Sequence, residues 1–103
     1  MFTKVVYLAP VDSHKSFYGK ARVELFDNGA MILWSYSTPV AAFYNGTFTR
    51  LWSGWSATTQ RHVNAFICYT GADVQQGKAA WLNLPVFSLN EFTRSFGRCV
   101  LYA

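Results

Sequence analysis

The chain has 103 residues, of which 51% are hydrophobic, 18% aromatic and 14% charged; that balance excludes a disordered polyelectrolyte and suits one domain with a real core, residues 1–103. Nine Lys and Arg against five Asp and Glu give a net charge of +4, with the cations scattered and no basic run, so a nucleic-acid role does not follow from charge. No stretch approaches the roughly 20 apolar residues of a membrane span, and Met1 to Pro10 lacks the basic segment and apolar run of a secretory signal. A soluble cytoplasmic protein with no membrane partner is therefore expected.

Phe2 to Leu8 is rich in β-branched and aromatic residues and reads as a strand. Ala9 to Ser16, with Pro10, Asp12 and Ser13, reads as a loop. Ala21–Phe26 and Met31–Tyr36 flank Asp27-Asn28-Gly29, and Val40–Tyr44 and Thr47–Trp52 flank Asn45-Gly46. Asn-Gly between apolar runs predicts a hairpin, because both residues tolerate positive φ. Pro39 cannot donate to a ladder and is placed at a strand start or an edge.

From Ser56 to Tyr69 the period changes. Thr59, Val63, Phe66, Ile67 and Thr70 recur at helical spacing, Ser56 is a good N-cap and Gly71 a good stop. Ala72 to Ala80 reads as a surface loop and Trp81 to Phe87 as a short strand. Ser88-Leu89-Asn90-Glu91 is a capping box, predicting a brief helix with Leu89, Phe92 and Phe96 inward, ending at Gly97; Cys99 to Tyr102 is a closing strand. The fold expected is α+β: an antiparallel β-meander of five to six strands with two helices packed on one face. Cys68 and Cys99 lack a CxxC partner and are expected as buried free thiols.

The densest polar signal is Ser35-Tyr36-Ser37-Thr38-Pro39-Val40-Ala41, a hairpin, and Trp55-Ser56-Ala57-Thr58-Thr59-Gln60-Arg61-His62. This pattern, Ser-Tyr-x-Thr-x-Val-Ala followed by Ser-x-Thr-Thr-x-Arg-His, resembles a family of small uncharacterised proteins common in bacteriophages and mobile elements. The resemblance covers about a third of the chain, residues 35–66. It implies a phage or plasmid origin and an accessory role in the host cytoplasm, and it points to no known activity.

Physically, Thr58, Thr59, Arg61 and His62 on the first turns of a helix could hold an anion, since free amides and a guanidinium fork converge there. The competing reading is architectural: Ser56 and a Thr hydroxyl cap the helix, and His62 bonds a strand carbonyl or Tyr36. Trp34, Tyr36, Phe43, Tyr44, Phe48, Trp52 and Trp55 fall on or beside the meander. With Arg50 and Arg61 nearby, such a sheet face could stack single-stranded bases. Alternation puts Trp34 and Tyr36 on one strand face and Ser35 and Ser37 on the other. The candidate binding residues are thus Tyr36, Tyr44, Arg50, Trp55, Thr58, Thr59, Arg61 and His62.

The leading expectation is a non-catalytic accessory protein that binds a host protein, plausibly a defence or nucleic-acid-processing factor. The second is a small nucleic-acid binder; the third is an enzyme centred on His62. Against the third, no nucleophile elbow and no Cys/His signature is present, and the acidic residues are spread along the chain. His14, His62, Cys68 and Cys99 lack metal-ligand spacing, and no glycine-rich phosphate loop occurs; neither metal nor cofactor is expected. Four Trp, six Tyr and nine Phe exceed what one small core uses, which points to a homo-oligomer, most simply a twofold dimer.

Overall fold

Two Asn-Gly dipeptides organise the sheet, in two different ways. Between β2 (Ala21–Phe26) and β3 (Met31–Ser35), only Gly29 takes positive φ, at 89°. Gly29 N–H donates to Phe26 O at 3.0 Å, Phe26 N–H to Ala30 O at 2.9 Å, and Ala30 N–H to Asn28 Oδ1 at 2.9 Å. This is a three-residue loop closed by a glycine bulge. Between β4 (Thr38–Tyr44) and β5 (Thr47–Arg50), Asn45 at φ 54° and Gly46 at φ 80° form the two-residue turn with both residues left-handed.

The computed structural model describes residues 2–10, 17 and 19–92. With β1 (Phe2–Tyr7) added, the strands lie in the order β1-β2-β3-β4-β5, antiparallel throughout. The fold is α+β, with five strands among the described residues. The expected closing strand, Cys99 to Tyr102, and the end of the Ser88 helix, Phe96 and Gly97, lie outside them.

Pro39 is the second residue of β4, at the strand start as expected, although that strand is an interior one and not an edge. Leu33 pairs with Ala41 but Trp34 pairs with Pro39, so Val40 is the extra residue of a bulge. The bulge tolerates the missing amide hydrogen of proline. It also lets consecutive residues serve one side: Val40 and Ala41 are both fully buried in the cluster formed by Val23, Leu33, Val63, Phe66, Ile67 and Trp81.

Helix α1 (Ala57–Thr70) starts where Ser56 Oγ accepts from Thr59 N–H at 3.1 Å and stops at Gly71, φ 71°, whose N–H reaches Ile67 O at 2.9 Å. Both signals were legible in sequence. The next element was not. Lys78–Asn83 is a short helix, α2, that buries Trp81, where a loop and then a strand were expected. Lys, two alanines, Trp and Leu are compatible with a helical turn, and Pro85 bars its continuation. Of the expected strand only Val86 makes a bridge, parallel, to Arg50.

Two helices do pack on one face, but they are α1 and α2, which share a cluster through Val63, Phe66, Ile67 and Trp81. The capping box forms as expected: Ser88 N–H donates to Glu91 Oε1 at 2.7 Å, and Glu91 N–H to Ser88 Oγ at 3.0 Å. That third helix sends Phe92 elsewhere, into a second cluster with Ala30, Ile32, Ala42 and Leu51. Ile32 and Ala42 alternate with Leu33 and Ala41, so the sheet is covered on both faces.

Candidate functional site

Strand alternation that turns Leu33 toward α1 also turns Ser35 there, at the last position of β3. Ser35 Oγ lies 2.7 Å from His62 Nδ1 and 3.1 Å from Thr59 Oγ1. All three side chains are buried, His62 at 1% exposure. Thr59, His62, Val63 and Phe66 form the inward stripe of α1, so the polar triplet sits directly above the apolar core. The cost of burying these groups is offset by their mutual hydrogen bonds.

Burial, and secondarily the neighbouring Arg61 charge, pulls the His62 imidazole down to about 4. It is therefore neutral at pH 7. The Phe17 ring, itself buried, stands edge-on to it with centroids 4.5 Å apart, and the Arg61 guanidinium lies over Phe17 at 5.1 Å.

Tyr36 completes the cluster from outside. The strand ends at Ser35, and Tyr36 opens the β3–β4 turn at φ 57°, a backbone conformation disfavoured for an aromatic residue. This corrects the simple alternation: Tyr36 does not share the face of Trp34. Its ring comes within 5.9 Å of His62 while remaining 51% exposed. The backbone is clamped from both sides, with Tyr36 N–H donating to Lys20 O and Arg22 Nη1 donating to Tyr36 O, each at 2.8 Å. Lys20 Nζ is 5.8 Å from the tyrosine ring centroid.

The structure thus brings together four of the expected site residues: Tyr36, Thr59, Arg61 and His62. Thr58 is exposed beside them on the first turn of α1. The strand carbonyl or Tyr36 expected as the His62 partner gives way to the Ser35 hydroxyl. Trp55 belongs to a separate polar chain, donating Nε1–H to Gln60 Oε1 at 2.8 Å, with Gln60 Nε2–H donating on to Asn64 Oδ1 at 2.9 Å and Lys78 Nζ 4.4 Å from the indole. Tyr44 packs against the second cluster.

Arg50 is not a surface cation. It is 5% exposed, and its guanidinium donates to four carbonyls: Trp52 O at 2.9 Å, Ser53 O at 2.9 Å, Trp81 O and Leu84 O at 3.1 Å each. The Trp81 ring lies 4.8 Å from it. Burial lowers its pKa from the ordinary value, yet a guanidinium remains charged. Arg50 fastens β5 to the end of α2 and is spent on architecture.

The aromatic sheet face is similarly consumed. Phe43, Phe48, Trp52 and Trp55 pack against the first cluster, and Trp34 and Tyr44 against the second. Of the seven rings, Tyr36 alone is exposed. A hollow of about 570 Å³ beside β5, between Thr47, Phe48 and Phe87, has Glu91 as its charged group and lies apart from His62. Among the described residues, no group of three or more His, Cys, Asp or Glu could hold a metal, and no helix is long and apolar enough to cross a membrane. Cys68 is a free thiol, but an exposed one, accepting from Gln76 Nε2–H at 3.2 Å; Cys99 lies outside the described residues.

Sequence reasoning passed over Ser35, Phe17, Lys20 and Arg22. Ser35 carried a signal: with Met31 and Leu33 it forms an alternating inward row, and a hydroxyl at its end calls for a buried polar partner.

Fold and site together define a small α+β meander whose first long helix is locked to the sheet by a buried Thr–Ser–His triplet. The chain belongs to DUF8033, a family of unknown function, whose model matches residues 6–83 and so takes in strands β2 to β5, helices α1 and α2 and the whole triplet. No curated protein and no solved structure matches it significantly.

Proposed function

We propose that this is a non-catalytic accessory protein that acts by binding a host protein through the corner displaying Tyr36. The observation that carries the reading is the backbone of Tyr36, held at φ 57° by two 2.8 Å hydrogen bonds with its ring half exposed. Strained non-glycine residues persist where the surroundings over-determine them, and they cluster at sites of function. A tyrosine pre-set on a rigid support loses little entropy on association, which makes it a good interface anchor.

The buried triplet supports the non-catalytic reading. A serine at 3% exposure beside a neutral imidazole, with no carboxylate in the hydrogen-bonded set, is a support for the corner and not an activated nucleophile. Origin in a phage or mobile element, and action in the host cytoplasm, accord with the motif resemblance. The partner is in keeping with a defence or nucleic-acid-processing factor.

The test is capture from host lysate, with and without nuclease, using the wild type and Tyr36→Asn. Asparagine tolerates the left-handed backbone, so that variant removes the ring and spares the turn. One protein retained after nuclease by the wild type and lost by Tyr36→Asn is the expected result. Unchanged capture by Tyr36→Asn would overturn the reading, and recovery abolished by nuclease would favour nucleic acid.

A further inference from the structure

Two cations approach the rings that touch the His62 imidazole, and a third holds the Tyr36 backbone. Lys20 Nζ stands 5.8 Å from the Tyr36 centroid; Arg61 lies 5.1 Å from Phe17; Arg22 bonds Tyr36 O and rests 5.2 Å from the Trp34 ring. Phe17 and Tyr36 both contact His62. Among the described residues neither Lys20 nor Arg22 bonds a carboxylate. Glu24, which shares the Trp34 indole with Arg22, accepts its Nε1–H at 2.6 Å.

We infer that the partner surface meeting this corner is an acidic polypeptide segment, its carboxylates facing Lys20 and Arg22; this rests on the binding reading above. Clustered like charges repel in the free protein, and complementary charge on a partner relieves that repulsion and steers the encounter. A guanidinium stacked on a ring keeps its in-plane N–H groups directed sideways, the geometry that a carboxylate meets with two hydrogen bonds. Single-stranded nucleic acid would need successive open rings for its bases. Here Trp34 is covered by Arg22 and Phe17 by Arg61 and His62, which leaves Tyr36.

The experiment is fluorescence anisotropy at low ionic strength, with the purified protein titrated into a labelled oligoglutamate peptide and, in parallel, a labelled oligothymidylate of equal charge. Variants are Lys20→Gln, at the exposed edge of the corner, and Lys4→Gln, an exposed cation on β1. Oligoglutamate should bind, weaken with salt, and lose roughly fivefold in affinity in Lys20→Gln, with Lys4→Gln unchanged. Equal effects of the two variants would overturn the site, because the attraction would then be to net charge. Tighter binding of oligothymidylate that depends on Lys20 would overturn the partner class. Loss of host-protein capture in Tyr36→Asn, with no oligoglutamate bound at Lys20, would retain the binding reading and remove this inference alone.

Discussion

His62 and Tyr36 show how two residues in contact answer to opposite demands. Folding selects neutral His62, because its pKa falls from 6.5 to about 4 in the native state. The unfolded chain therefore binds the proton more readily. The stability this represents is fully present above pH 6.5 and is lost as pH falls from there toward 4, amounting to about 3 kcal/mol at the lower end. Urea midpoints followed over that range should fall in the wild type and much less in His62→Gln; equal slopes would show that the imidazole does not titrate with folding. Tyr36 instead carries backbone strain. Tyr36→Asn should leave stability within about 1 kcal/mol of the wild type, whereas Tyr36→Val, β-branched at positive φ, should cost about 1–2 kcal/mol more in thermal unfolding. The sequence pointed to Thr58, Thr59, Arg61 and His62 as a group on the first turns of a helix, and the structure leaves Thr58 exposed beside the other three. Sequence alone could not show that Ser35 is the bonding partner, because that contact spans 27 residues and depends on register. Nor could alternation locate Tyr36, since the turn begins one residue before the apolar pattern ends.

Elements whose signals are local were the legible ones. Both Asn-Gly turns, the Ser56 cap, the Gly71 stop and the Ser88 capping box depend on residues within a few positions of one another. Gly46→Val should cost about 1 kcal/mol or more, since φ 80° excludes a β-branched side chain, and chemical denaturation would measure it. Helix α2 was misread because its six residues are too few to display a period, and the apolar run continuing to Phe87 resembles a strand. What decides its state is tertiary. Trp81 enters the core, its Nε1–H donates to Gly54 O at 3.0 Å, and its carbonyl accepts from Arg50 at 3.1 Å. Arg50→Ala should therefore cost about 3 kcal/mol, because four carbonyls lose a charged donor together. Near-native stability of that variant would mean the carbonyls find other donors.

At the scale of the molecule, the abundance of aromatic rings has a different explanation from the one the composition suggested. A sheet covered on one face needs one layer of large side chains; this sheet has a cluster on each face. The rings fill both, so their number no longer argues for a homo-oligomer. The large apolar side chains that are exposed are, among the described residues, Tyr7, Tyr36, Tyr69, Leu82, Val86 and Phe87. Light scattering at micromolar concentration is expected to return the protomer mass of 11.7 kDa. Twice that mass, reduced by Phe87→Ser, would instead show copies pairing over Leu82, Val86 and Phe87.

Arg50 also bears on the order in which the protein can be made. The meander is complete at Arg50, but two acceptors of its guanidinium, Trp81 O and Leu84 O, lie 31 and 34 residues further along. A nascent chain emerging from its N-terminus can form the hairpins early, yet it must keep that cation hydrated until Leu84 has emerged. The sheet and the α2 segment are therefore not separable parts: trimming the chain before Leu84 removes an acceptor from a charge that the remaining fold buries.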